Sequence, residues 1–312
     1  MREIPIHHDP NIDSLTVAVN YVCNSRCSFC FIERELGLKL PDTSWDFLRA
    51  IFQKHVVEGS PYHRLILSGA EATLRRDLPD IAREALSAGG FDVVQIQTNG
   101  RMLRHQALLD RLIQAGITEY FVSIHAGTPA LDAQLTRSKS SFAEMRAGLQ
   151  NLRASGARLI SNTVITAQSY PHLEQTARFL VEEQIPECQL WAFIEFGHIG
   201  QQAEYVSYAD SAPYLRRAIQ ILKDAGRKVV VSWYPECLLG EHADVLDNHR
   251  ATLIIDDEFS GRAQRHGGFQ CPHSASCPRF GQSCQGLHER YVEEVSDHAD
   301  LLRPLPPRIA AK

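Results

Sequence analysis

Short apolar, β-branched runs alternate along the chain with longer segments of helical spacing. The strand-like runs are SLTVAVNYV (14–22), HRLILSG (63–69), DVVQIQT (92–98), EYFVSIH (119–125), ARLISNTVIT (157–166) and CQLWAFIEF (188–196). Between them lie SWDFLRAIFQKHV (44–56), DLPDIAREALSAG (77–89), HQALLDRLIQAG (105–116), SFAEMRAGLQNLRASG (141–156), YPHLEQTARFLVEEQ (170–184) and SAPYLRRAIQILKDAG (211–226), whose apolar residues recur at helical intervals. Several of these close on Gly after a last turn carrying Arg or Lys, which is the chemistry of a helix C-cap.

Six strand–helix units in a row predict an α/β protein with parallel strands and right-handed crossovers. An open doubly wound sheet and a full or partial barrel share this pattern. In both, ligands gather at the C-terminal ends of the strands, and Cys23 follows the end of the first one. After VVVSWYP (229–235) the alternation stops. Residues 237–286 are rich in Gly, His, Pro and Ser and carry four cysteines, and 301–312 is a Pro-rich tail expected to be extended. The expected division is a domain over 1–230 and a second, small cysteine-rich one over 231–312.

At 312 residues, 44% hydrophobic and 22% charged, the chain reads as an ordinary globular protein. Its net charge of −5 and the lack of a Lys/Arg run argue against a nucleic-acid partner. No apolar run reaches the roughly 18 residues of a membrane span, and the start, with its paired His in IPIHHDP, has no signal-peptide h-region. The expected location is cytoplasmic, where disulfides are disfavoured, so eight cysteines call for a metal.

Three of them, Cys23, Cys27 and Cys30, are spaced C-x3-C-x2-C. A structural zinc site closes with four ligands, and iron–sulfur clusters are usually held by four thiolates. Three thiols leave one coordination position for something other than the chain. The spacing, its place after the first strand, and Phe29 just before the last Cys resemble the signature of the radical S-adenosylmethionine (radical SAM) superfamily. The resemblance implies a 4Fe-4S cluster on the three thiolates, with SAM chelating the fourth iron and giving a 5′-deoxyadenosyl radical on one-electron cleavage. It also implies a partial (β/α)6 TIM-like barrel.

Further segments extend the resemblance over about 14–200. LSGAEATLRRDLPDI (67–81) is similar to the family's Gly-Gly-Glu-Pro segment, with Ser68, Gly69, Ala70 and Glu71 expected at the SAM amino group, although Ala replaces the second Gly and the Pro. Ser123 and Arg137 in FVSIHAGTPALDAQLTR (121–137) match the segment at the ribose and methionine carboxylate. Asn99 in QTNGRML (97–103), Asn162 and Val164 in NTVIT, and Ile194 in FIEFG match later strand ends, the last three near adenine. Glu195, His198 and Tyr234 are candidate catalytic residues facing substrate; polar groups satisfied at strand ends are the alternative reading. Cys188 reads as a small buried core residue.

Cys237, Cys271, Cys277 and Cys284 make a complete four-thiolate set, suitable for zinc or iron–sulfur. PECLLGEH…CPHSASCPRFGQSCQGLHERY resembles the auxiliary-cluster domains, Twitch or SPASM-like, that follow many radical SAM barrels. That resemblance implies a second cluster, probable as 4Fe-4S. His266, His273 and His288 are given no role.

These readings together predict an enzyme that abstracts a hydrogen atom from a small-molecule or nucleoside-type substrate. The expected electron donor is a reductase such as flavodoxin or ferredoxin. Nothing resembling a cobalamin domain precedes the barrel, which argues against cobalamin-dependent methyl transfer, and no leader-peptide module fits before residue 14, which turns the expectation away from the alternative, a maturase of ribosomal peptides. A zinc-stapled, non-catalytic binding protein is the alternative from another class.

Overall fold

The computed structural model describes residues 13–30, 40–58, 62–194, 204–248, 252–254 and 268–308. These fold into two compact units that interleave along the chain: 1–123 with 136–160 and 249–260, and 124–135 with 161–248 and 261–312.

The first unit is built on parallel strands. β1 (Ser14–Asn20), β2 (Arg64–Gly69), β3 (Val93–Thr98) and β4 (Ile117–Ser123) lie side by side in chain order, and β8 (Thr252–Ile254) pairs with the outer edge of β1. Every residue of β1 is buried, as expected of a parallel strand covered on both faces. The helices that cross between strands are α1 (Trp45–Glu58), α2 (Leu78–Ala88) and α3 (Gln106–Gln114). Each buries one stripe: Leu48, Ile51 and Phe52 on α1, Leu78, Ile81, Ala82 and Ala85 on α2, and Leu109 and Leu112 on α3. A polar hub near the strands' N-terminal ends joins three of them. Glu119 of β4 is buried and accepts from Arg64 at the start of β2, from Gln95 of β3 at 3.0 Å and from Arg158 at 2.7 Å.

α4 (Pro129–Thr136) precedes α5 (Ser141–Ser155), which packs on a short 3-10 turn, Arg101–Arg104, that leaves β3. Gly148 permits the approach, since a Cβ there would collide with the carbonyl oxygen of Gly100. β5 (Arg158–Ile165) starts in the first unit and passes into the second.

In the second unit β5, β6 (Glu187–Ala192) and β7 (Lys228–Ser232) run in chain order, β6 and β7 pairing in parallel from Glu187↔Lys228 to Trp191↔Ser232. α6 (Leu173–Glu182) and α7 (Tyr208–Asp224) supply the crossovers and bury Leu173, Ala177, Leu180, Leu215, Ala218, Ile219 and Leu222. Cys188 is fully buried in this core. Beyond β7 come 3-10 turns, the antiparallel pair β9 (Phe269–Gln270) and β10 (Leu287–His288), and α8 (Glu289–Glu294). His125, just past β4, is buried with its Nδ1 accepting from the Val164 amide at 3.1 Å, and burial lowers its pKa to about 4. Among the described residues no helix is long and apolar enough to cross a membrane.

The sequence-based segments match the six main helices and strands to within a few residues at each end. α4, β8 and the β9–β10 pair do not appear among them. β6 ends at Ala192, so the expected continuation to residue 196 passes outside the described residues.

Two consequences are measurable. Gly148→Ala should destabilise the protein by about 1–3 kcal/mol in denaturant unfolding, because the added methyl forces α5 off the Gly100 carbonyl. Helix propensity alone predicts the opposite sign. His125 is neutral when folded and has its ordinary affinity for a proton when unfolded, so its contribution is fully present above pH 6.5 and is lost as pH falls toward 4. Stability should drop by on the order of 2 kcal/mol between pH 7 and pH 5 from this group. His125→Gln should remove that part of the pH slope; an unchanged slope would contradict the assignment.

Candidate functional site

β1 does not run straight into the cysteine loop. Its register with β2 slips between Ala18 and Asn20, opposite Ser68 and Gly69. Gly69 adopts φ of 134°, and a Cβ there would strike the Asn20 carbonyl oxygen, so this crossing of two strand ends requires glycine. Ala70 does not need positive φ, and its amide donates to the Asn20 carbonyl at 3.0 Å. The alanine in place of the family's second glycine therefore costs the backbone nothing here.

The chain then turns through the loop that carries Cys23, Cys27 and Cys30, all three half-buried. The Cys30 amide donates to the Cys27 carbonyl at 3.1 Å, curling the loop back on itself. The Cys23 sulfur accepts from the Ser25 amide at 3.3 Å and from Asn99 Nδ2 at 3.8 Å. Burial, reinforced by the charges of Glu71 and Cys30, pushes the free Cys23 thiol up to about 11. Phe29 is half-buried in the same loop.

Behind the loop sits Glu71. Its carboxylate is buried and receives the Thr98 hydroxyl at 2.5 Å, the Asn99 amide at 2.7 Å, the Thr73 amide at 3.2 Å and the Thr73 hydroxyl. Its backbone carbonyl accepts from Asn20 Nδ2 at 2.7 Å. Desolvation raises its pKa despite these donors. Glu71 thus joins the ends of β1, β2 and β3. Ser68, half-buried, donates to Gln97 Oε1 at 2.6 Å. Ser123 closes β4 half-buried, and Arg137, exposed, holds the left-handed φ of 52° that few non-glycine residues adopt.

Three residues that sequence reasoning passed over shape this region. Asn20 spans the β1 and β2 ends. Arg75 is buried and donates to the carbonyls of Val19 at 2.6 Å and Thr43 at 2.7 Å and to Asp77. Arg101 donates to the Asn24 carbonyl, to Ser25 Oγ at 2.9 Å and to Glu144 at 2.7 Å, fastening the cysteine loop to the β3 end. The only sequence signal for them was a polar residue at the end of an apolar run or in the short segment that follows one.

In the second unit, Asn162 of β5 is buried, and its side-chain Oδ1 has no hydrogen-bond partner among the described residues. Val164 is half-buried and Ile194 is buried just past β6. Glu195 and His198 lie outside the described residues. Tyr234 is part of the core: its hydroxyl donates to the Tyr208 carbonyl at 3.2 Å and pairs with Ser211 at 3.0 Å, and its ring packs edge-on to Tyr208. Burial raises its pKa.

Cys237, Cys271, Cys277 and Cys284 line one pocket, with Phe280, Leu302 and Leu305 as its apolar wall. Burial raises the thiols of Cys237 and Cys271 and brings Cys284 to about 11, the charges of neighbouring cysteines adding to the shift. The Cys284 sulfur accepts the amides of Glu236 and Gly286, both at 3.4 Å. Glu236 is itself buried, with Arg279, Arg308 at 3.0 Å and Ser283 at 2.7 Å on its carboxylate.

The donor chemistry of both sets is soft and all-thiolate, which suits iron–sulfur or zinc over hard cations. Among the described residues no three His, Cys, Asp or Glu side chains are grouped closely enough to hold a single metal ion. The loop after β1 brings three thiols and the pocket beyond β7 brings four.

A 28% identical relative, a probable GTP 3′,8-cyclase of Metallosphaera sedula, aligns over 67% of this chain and 63% of its own length. The Fe-coproporphyrin III synthase of Methanosarcina barkeri is 25% identical over 73% of this chain and 53% of its own. The chain thus spans about half to two thirds of the length of these curated relatives. In fold it is similar to Streptococcus suis SuiB, solved with the precursor peptide SuiA, at a TM-score of 0.55 and 16% identity over 70% of this chain and 48% of that one. A model of the Radical SAM superfamily matches residues 17–180, more than half of the chain. Members of that superfamily bind a 4Fe-4S cluster and SAM, and the chain belongs to it.

Proposed function

We propose that the chain is an enzyme that cleaves SAM reductively at a 4Fe-4S cluster on Cys23, Cys27 and Cys30 and takes a hydrogen atom from a nucleoside-type small molecule. The observation that carries this reading is the trio of half-buried thiols on one loop at the end of β1, with three donors where a closed site needs four. Held there, the cluster would supply the single electron that reductive cleavage of SAM requires.

The chain's own residues position and insulate. The Ser68–Gly69–Ala70 backbone is the surface for the SAM amino group. Glu71 acts behind it, because its carboxylate is already saturated with donors from the chain. Arg137 offers a planar fork of donors for a carboxylate, beside Ser123 on the ribose side. The Oδ1 of Asn162, without a partner among the described residues, is suited to an adenine or ribose donor, with Val164 and Ile194 as apolar contacts. Glu195 and His198 keep the substrate-facing role read from the sequence, whereas the engaged hydroxyl of Tyr234 favours a structural one.

The four-thiol pocket is read as the site of an auxiliary cluster in a Twitch/SPASM-like segment, with full protein ligation and no position left for substrate. Four thiols lining one pocket, with two amides donating to the Cys284 sulfur, support this reading. The nucleoside-type substrate rests on the several relatives named GTP 3′,8-cyclase.

Anaerobic reconstitution tests the reading. The chain should turn brown, carry about eight iron per molecule and form 5′-deoxyadenosine from SAM and dithionite. Replacing Cys23, Cys27 and Cys30 together by Ala should leave about four iron and no 5′-deoxyadenosine. A colourless protein with stoichiometric zinc would overturn both cluster assignments. Deuterium passing from ribose-labelled GTP into 5′-deoxyadenosine would support the substrate class, and its failure to pass would count against that class alone.

A further inference from the structure

Asn99 stands between the two features that define the first site. Its backbone amide donates to Glu71 Oε2 at 2.7 Å, and its side-chain Oδ1 accepts the Arg101 amide at 3.1 Å. That second bond fixes which way the side-chain amide faces: oxygen toward the 3-10 turn, nitrogen toward the cysteine loop. Nδ2 has two hydrogens and two acceptors, Asn24 Oδ1 at 2.6 Å and the Cys23 sulfur at 3.8 Å. Rotating the amide would set oxygen against both acceptors and the NH2 group against the Arg101 N–H.

We propose that Asn99 is a positioning residue that sets the reduction potential of the cluster on the Cys23 loop, by holding an N–H donor on the Cys23 sulfur. The inference rests on the cluster reading above and concerns how that cluster is tuned. On reduction the cluster gains one electron and the thiolate sulfurs become richer in negative charge. A hydrogen bond to sulfur strengthens in that state, favours it and raises the potential. The buried carboxylate of Glu71, whose charge Cys23 feels, works in the opposite direction. The Asn99 donor offsets that anion at Cys23. Arg101 keeps the geometry: its guanidinium holds Asn24 and Ser25 while its own amide anchors Asn99.

The test is a redox titration of the reconstituted full chain followed by electron paramagnetic resonance. The signal that changes on adding SAM identifies the cluster of the three-thiol loop. Asn99→Ala should bind the same iron as wild type yet have a lower midpoint. At the solution potential that half-reduces wild type, the ratio of reduced to oxidised cluster should fall roughly tenfold, equivalent to about 59 mV for one electron. Asn99→Asp keeps the acceptor for Arg101 but removes the donor and adds a charge, so it should fall at least as far. It also serves if the Ala variant fails to hold iron. Asn151→Ala is the control: Asn151 donates to the carbonyls of Leu103 and Arg104 in the same turn and meets no sulfur. It should leave the midpoint unchanged. Full iron with an unshifted midpoint in either Asn99 variant would overturn the proposal. So would an equal shift in Asn151→Ala, which would trace the effect to a loosened turn. A wild-type chain that takes up no iron would refute the cluster reading itself.

Discussion

The carboxylate of Glu71 is removed from water and yet must be given donors, because a buried anion without them is not tolerated in a folded interior. The chain meets that demand from Thr73, Thr98 and Asn99, while Asn20 binds the carbonyl of the same residue. These groups come from the ends of three neighbouring parallel strands. Satisfying one charge therefore fixes where those strands stop, and the cysteine loop starts from that fixed edge. Arg101 and Arg75 extend the arrangement outward, one to the loop and one to the carbonyls of Val19 and Thr43. The rigidity that a cluster and a cofactor would need is thus present in the polypeptide before either binds.

The second cysteine set repeats the device. A buried carboxylate, Glu236, lies next to Cys237 and collects Arg279, Arg308 and Ser283, which brings the 279–284 segment and the tail against the thiol pocket. The Pro-rich tail, expected to be extended and frayed, has ordered contacts through residue 308: the Pro306 carbonyl accepts from Arg279 at 2.6 Å and the Leu302 carbonyl pairs with His273 at 3.0 Å. Composition suggests a loose end; arginine and histidine at a distance in the sequence hold it.

Periodicity carried the fold a long way. The strand runs and amphipathic helices are legible because burial on a parallel sheet imposes a repeating local pattern, as in SLTVAVN and LPDIAREALSA. α4 escaped because eight residues give barely two turns of pattern, and β8 because three residues are too few to repeat a two-residue alternation. The thiols were legible by spacing alone. The role of Glu71 was not: the sequence shows an acidic residue after a strand, and only the tertiary structure decides whether its oxygens face a ligand or the chain. Asn20, Arg75 and Arg101 were hidden for the same reason, since a polar residue at or just after a strand looks alike whether it is solvated or spans to a neighbour.

The central claim is that the three thiols leave one metal position to SAM. The direct measurement is electron–nuclear double resonance on the reduced, reconstituted chain with SAM carrying 15N in its amino group or 17O in its carboxylate. Strong coupling of both labels to a cluster iron is the predicted result, lost when Cys23, Cys27 and Cys30 are replaced. A cluster that forms on the loop and shows no coupling to either label would contradict the account.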